Sequence, residues 1–97
     1  MGNLRYIDIT WHHDAKGEPY RLVSEIGADG FEKRKLEFFH GGQVSYAAEL
    51  MASDTTMLSV GKVPALEDLI ARTEFSGEAI TREQFELLWK QYVPDDA

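Results

Sequence analysis

Cysteine is absent from the 97 residues. That excludes disulfide bracing, thiol catalysis and zinc sites built on thiolates, so apolar contacts alone must hold the domain. Proline is scarce, with three residues, and no apolar run approaches a membrane span or a signal-peptide core. A cytoplasmic protein without membrane contact is therefore expected. The chain opens Met-Gly, but Tyr6 stands where a myristoylation signal has Ser or Thr. Basic charge is also in deficit: 17 acidic residues face 10 basic ones, a formal charge of −7. The deficit is uneven, with six Lys/Arg against seven Asp/Glu in residues 1–48 and four against ten in residues 49–97. Direct binding to a phosphate backbone is disfavoured, because that needs clustered positive charge. A basic protein partner, steered by an acidic surface, fits better.

A chain of this length builds one core, so residues 1–97 are read as a single domain with a shallow site or binding face rather than an interdomain cleft. Ile7, Ile9 and Trp11 alternate with Asp8, Thr10 and His12, the period of a half-buried strand. The segment "DAKGEP" then turns the chain. Two strands follow, 20–26 and 32–39, joined by a loop of Ala28, Asp29 and Gly30 that pairs Gly27 with Phe31. Counting outward from that loop sets Leu22 opposite Leu36, Arg21 opposite Glu37 and Glu25 opposite Lys33, with apolar and charged residues on separate faces. A two-residue Asp29-Gly30 loop would instead place Leu22 opposite Glu37 and mix the faces. Beyond "HGGQ", a two-residue Gly41-Gly42 loop would pair Phe39 with Val44 and Glu37 with Tyr46 in a fourth strand. The stretch from Met51 to Pro64 reads as a connection, with an edge strand through Thr56–Val60.

Helical spacing begins after Pro64. Leu66, Leu69, Ile70 and Thr73 share a face, and Glu67 and Asp68 sit at the positive N-terminal end. Thr81 and Gln84 form a capping box ahead of Phe85, Leu88, Trp89 and Tyr92, and Glu86 precedes Lys90 by one turn. Pro94 ends this helix. The predicted fold is α+β: an antiparallel sheet of four to five strands, an N-terminal meander, with two C-terminal helices packed on one face.

Candidate chemistry centres on His12, His13 and Asp14, with His40 elsewhere. Adjacent strand residues point to opposite faces, so His12 and His13 cannot easily share an ion, and the reading is no metal and no cofactor. His13, Asp14 and His40 would converge only if the turns after the first and third strands share a sheet edge. No serine lies in a nucleophile elbow, and no catalytic set is assigned. Glu25 and Glu37, with Arg21, Lys33 and Lys35 around them, read as a salt-bridged sheet face. Arg34 falls on the apolar face and demands a carboxylate, for which Glu32 is the candidate, so Glu32 and Arg34 form a structural polar network.

The motifs "WHHD", "EP" and "SEIGADGFEKRKLEFFHGGQVSYA" resemble a family of small bacterial proteins known as a domain of unknown function. The matching positions include Trp11, His13, Asp14, Glu18, Pro19, Ser24, Glu25, Glu32, Arg34, Lys35 and Glu37. "VPALEDL" and "EAITREQFELLWKQY" match its tail. Two departures are Ala65, in place of a helix-capping Ser worth about 1 kcal/mol, and Ser45, in place of a Gly. The resemblance implies no activity. It implies that His13, Asp14, Glu25, Arg34, Lys35 and Glu37 belong together, as a polar network or a partner site.

Charge, size and the missing catalytic set point to a non-enzymatic acidic binding protein of the immunity or phage-inhibitor kind, masking a basic site on a toxin or defence protein. The sheet and loop contacts expected for that partner are His13, Asp14, Glu25, Lys35 and Glu37. The helix contacts expected are Glu67, Asp68, Glu83 and Glu86. The alternative is a small enzyme or ligand-binding domain using His13, Asp14, Glu25 and Arg34.

Overall fold

The computed structural model describes residues 3–48, 51–52, 58 and 62–94. Its strands are β1 (Arg5–Trp11), β2 (Arg21–Ile26), β3 (Glu32–Phe38), β4 (Val44–Ala48), β5 (Met51–Ala52) and β6 (Phe75–Ile80). Its helices are α1 (Leu66–Ile70) and α2 (Arg82–Tyr92). The strands hydrogen-bond in the order β5-β4-β3-β2-β1-β6, and every pair is antiparallel. This is the α+β class expected, with the meander first and two helices packed on the sheet. All but Leu58 of the expected edge strand Thr56–Val60 lies outside the described residues.

β6 is the element that residue patterning did not disclose. Its burial is slight, and Ser76, Gly77, Glu78 and Ala79 are all exposed, so no apolar alternation marks it. By pairing with β1 it converts the first strand from an edge into an internal one. Tyr6 and Ile7, which point to opposite faces of this strand, are both buried, each under the elements packed on its own side. Gly77 is required at this contact, because a Cβ there would collide with the Asp8 carbonyl and with Ile9.

The two helices lie on opposite faces of the sheet rather than on one. α2 brings Phe85, Leu88, Trp89 and Tyr92 onto Tyr6, Val23, Leu36 and Phe38. α1 and the residues before it bring Val63, Leu66 and Leu69 onto Ile7, Ile9 and Ile26. The physical reason is the connection between edges. The chain leaves β5 at one edge and re-enters as β6 at the other, so residues 62–70 cover one face, and α2 returns over the other. The capping box that starts α2 is formed as expected: Gln84 N donates to Thr81 Oγ1 at 3.1 Å and Thr81 N donates to Gln84 Oε1 at 2.8 Å. α1 begins after Ala65 without any side-chain cap.

The first hairpin loop is the three-residue one, with Gly27 N donating to Phe31 O at 2.9 Å and Gly30 in the left-handed region at φ 85°. Beyond it the register departs from the outward count. Ile26 pairs with Glu32, but Glu25 pairs with Arg34, so Lys33 is an extra residue in a β-bulge. Every pair further along is shifted by one: Leu22 faces Glu37, Val23 faces Leu36 and Arg21 faces Phe38. The second hairpin is also shifted from its expected pairing, because His40, Gly41 and Gly42 make a three-residue loop closed by Phe39 N and Gln43 O. Phe38 thus pairs with Val44 and Leu36 with Tyr46.

The bulge relocates Arg34 to the α2 face. There it donates twice to Glu25, at 2.8 and 2.7 Å, and reaches Glu86 at 2.8 Å, while its guanidinium lies 4.8 Å from the Phe85 ring centroid. Glu32 points to the other face and is not its partner, which corrects the expected Glu32–Arg34 network. Glu86 likewise turns to Arg34, and not to Lys90 as its helical spacing suggested. Two hydrogen-bonded carboxylates hold Arg34 well above its ordinary range, and Arg34 holds Glu86 below the ordinary carboxylate range. Tyr6 packs against Phe85 with centroids 5.2 Å apart, and its hydroxyl is pushed upward, first by burial and then by the nearby Glu25 carboxylate.

The lowered Glu86 fixes the sign of a pH effect. Its ion pair stabilises the fold above the ordinary carboxylate range and is lost as pH falls through the depressed value. The wild type should therefore lose stability more steeply than Glu86→Gln between about pH 5 and pH 3, measured by urea melts across that range. Asp29, lowered by the Phe31 amide and by Lys33, titrates in both proteins and drops out of the difference. Equal slopes would show that the Arg34–Glu86 pair adds nothing.

Candidate functional site

On the α1 face, the apolar packing among the described residues gathers at one side of the sheet. Ile7, Ile9 and Ile26 lie under Val63, Leu66 and Leu69. The neighbouring half presents Ser24, Glu32, Lys35 and Glu37, which the bulge and the strand alternation turn to this side. Above them is a cavity of about 520 Å³, with walls from Trp11, Leu22, Phe39, Leu69 and Phe75. The polar floor is well screened: the side chains of Glu32, Lys35 and Glu37 are 6, 12 and 16% exposed.

These groups are arranged as a row along β3. Ser24, paired with Lys35 across the strands, donates from Oγ to Glu32 Oε2 at 2.9 Å. The Lys35 ammonium stands 3.8 Å from Glu32 Oε1 and 3.4 Å from Glu37 Oε2. Both distances exceed an ordinary N–H···O hydrogen bond, in contrast to the short contacts of Arg34. A cation thus stands between two carboxylates in a row along β3.

The loop from His12 to Tyr20 forms one rim. His13 fixes it from both ring nitrogens: Nδ1 accepts from Ala15 N at 3.0 Å, and Nε2 donates to Pro19 O at 2.8 Å. Since an amide can only donate and a carbonyl only accept, the Nε2–H tautomer is set, and neither nitrogen remains for a metal. The ring also lies 4.1 Å from that of Trp11, so the loop and the cavity wall support one another. A second cavity, of about 770 Å³, brings His13, Asp14, His40 and Gln43 together and shares Gly17, Glu18 and Phe39 with the first. The turns after β1 and β3 do therefore meet at one edge. His40 stacks on Tyr20 at 4.6 Å, and His12 pairs with Ser76 at 2.7 Å. Among the described residues no three His, Asp or Glu side chains gather as a metal site.

The residues singled out from sequence are thus divided. Lys35 and Glu37 line the first cavity, joined by Glu32, and His13 and Asp14 line the second. Glu25 and Arg34 are on the far side of the sheet beneath α2, where Glu25 is buried. Glu67 and Asp68 are exposed on α1 and Glu83 is exposed on α2, so the helix acids occupy two faces. Patterning missed Ser24, Leu22, Phe39 and Phe75 as cavity residues. The signal for the floor was the E-x-x-K-x-E spacing of Glu32, Lys35 and Glu37, which shares one face only when a bulge intervenes.

His13→Ala should leave the fold intact, at a cost of about 1 kcal/mol for two neutral hydrogen bonds, while the Ala15 amide loses its protection from hydrogen exchange. Unchanged Ala15 exchange would show that the ring does not hold the loop.

No curated protein and no solved structure gives a significant match to the chain. The family model described as Domain of unknown function (DUF6881) matches residues 5–94, which is most of the sequence and includes every cavity residue named above. The chain therefore belongs to the DUF6881 family.

Proposed function

We propose that this protein binds a small molecule in the cavity floored by Glu32, Lys35 and Glu37. The observation that carries the reading is the combination of a cavity of about 520 Å³ with a screened polar row at its base and aromatic walls. Ligand sites of roughly 300–1,000 Å³ have this make-up, an apolar enclosure with a few placed polar groups. Stability alone gives little reason for the row. Charges taken out of water gain no more than apolar residues of similar volume, so three of them beside an apolar core favour a role in recognition. This keeps Lys35 and Glu37 as site residues, adds Glu32 and Ser24, and assigns Glu25 and Arg34 to the support of α2.

The charge-based reading, an immunity-like or inhibitor protein meeting a basic partner, draws on one observation. Glu67, Asp68, Glu78 and Glu83 are exposed and make no ion pair among the described residues. With α1 and α2 on opposite faces, a single flat partner cannot meet Glu67 and Glu83 together. The cavity has the stronger support.

The test is a thermal-shift screen with sugars, nucleosides, amines and carboxylic acids, run on the wild type and on Leu22→Trp, which fills the cavity from β2. At least one class should raise the melting temperature of the wild type and leave Leu22→Trp unmoved. Silence of every class, or equal shifts in both proteins, contradicts the cavity reading.

A further inference from the structure

β6 closes one edge of the sheet, and no strand among the described residues lies beyond it. The phase of its ladder follows from one bond. His12 N donates to Glu74 O, so Glu74, Ser76, Glu78 and Ile80 turn their main-chain groups to β1. Phe75, Gly77 and Ala79 therefore turn theirs outward. Phe75 N is taken by Arg72 O, which leaves the Phe75 carbonyl and both main-chain groups of Gly77 and of Ala79. Gly77 and Ala79 are exposed, and among the described residues nothing hydrogen-bonds to these outward groups. The usual devices that blunt an open edge are missing, since β6 has no proline, no lysine and no bulge. Apart from Glu78 its middle residues are small, so its own side chains leave the edge open to a second main chain.

We propose that this edge binds an extended segment of a basic protein, which joins the sheet as a further strand. Charge selects the occupant. Glu78, two residues from Ile80, shares its α2 side of the sheet, is exposed, and makes no ion pair among the described residues. On the other side α1 packs against β6 and carries Glu67 and Asp68, which are exposed and likewise unpaired among the described residues. Arg72 and Arg82, at the two ends of β6, are engaged by Glu74 and Glu86. Side chains of an added strand alternate between the two faces of the sheet. Lysines or arginines along it therefore face Glu78 on one side and α1, with Glu67 and Asp68, on the other. A second copy of this chain fits less well, because it sets the same acids and a formal charge of −7 against themselves.

The test is amide NMR of the full chain with blocked peptides long enough to span β6. One is built of Lys, Thr and Val with lysines on both faces of the strand, one has Glu for each Lys, and one is the Lys peptide with N-methylated amides. The Lys peptide at millimolar concentration should shift the Gly77 and Ala79 amide resonances saturably, and the other two should leave them in place. Glu78→Lys should weaken the Lys peptide about tenfold while the melting temperature moves little. Ala79→Pro removes an outward N–H without touching the β1 ladder and should abolish binding. The N-methylated peptide tests the same main-chain pairing without any change to the protein. Gly77 and Ala79 resonances that stay in place with the Lys peptide overturn the proposal. Equal shifts with the Glu peptide or the N-methylated peptide also overturn it, since charge or main-chain pairing then plays no part. Shifts of Gly77 and Ala79 with protein concentration alone would give the edge to a second copy and overturn it too.

Discussion

One slip in register, in the first hairpin, decides which face the charged residues of β3 beyond it occupy. At Lys33 the strand β3 contains one more residue than β2 opposite it, and from that point outward each side chain faces the reverse of the side that the turn alone would dictate. On the α2 side this delivers Arg34 to Glu25 and Glu86, at the centre of an aromatic surface made by Phe85 and Trp89. On the α1 side it delivers Glu32, Lys35 and Glu37 to a shared face. Without the extra residue, Arg34 would lie among the cavity carboxylates, and Lys35 and Glu37 would lie beneath α2. Buried charge is tolerated only with partners, so the bulge and its two charged clusters depend on one another.

The two clusters differ in kind. The Arg34 contacts are short and bidentate, and they lie where helix and sheet are packed, so they fix the docking of α2. The Lys35 contacts are longer, and they lie at the floor of an open space. The same residue types thus act as a clamp on one face and as a more loosely spaced ionic row on the other. The His13 loop adds a wall to the second, held by hydrogen bonds from both edges of one imidazole.

Much of this was legible in the residues. The loop at Ala28 to Gly30 could be read because the left-handed Gly30 dictates its geometry, and the start of α2 could be read from Thr81 and Gln84. The class of fold followed from strands preceding helices. Three features were not legible. A bulge leaves no mark in hydrophobic alternation when the residues around it are all charged, as Glu32, Lys33, Arg34 and Lys35 are. β6 exposes Ser76, Gly77, Glu78 and Ala79 along its middle, and its strand state comes from pairing with β1 and not from their own propensity. The placement of the helices on separate faces depends on which edge β6 joins, and local pattern does not encode that. The cavity follows from these three features, so its residues were glimpsed singly and not as a group.

The most direct measurement is a pair of double-mutant cycles on stability, Glu25→Gln with Arg34→Met and Glu32→Gln with Arg34→Met. The bulged register predicts a coupling of roughly 1–3 kcal/mol in the first cycle and less than about 0.5 kcal/mol in the second. Coupling between Glu32 and Arg34, with none between Glu25 and Arg34, would place the charges on the opposite faces and contradict the account.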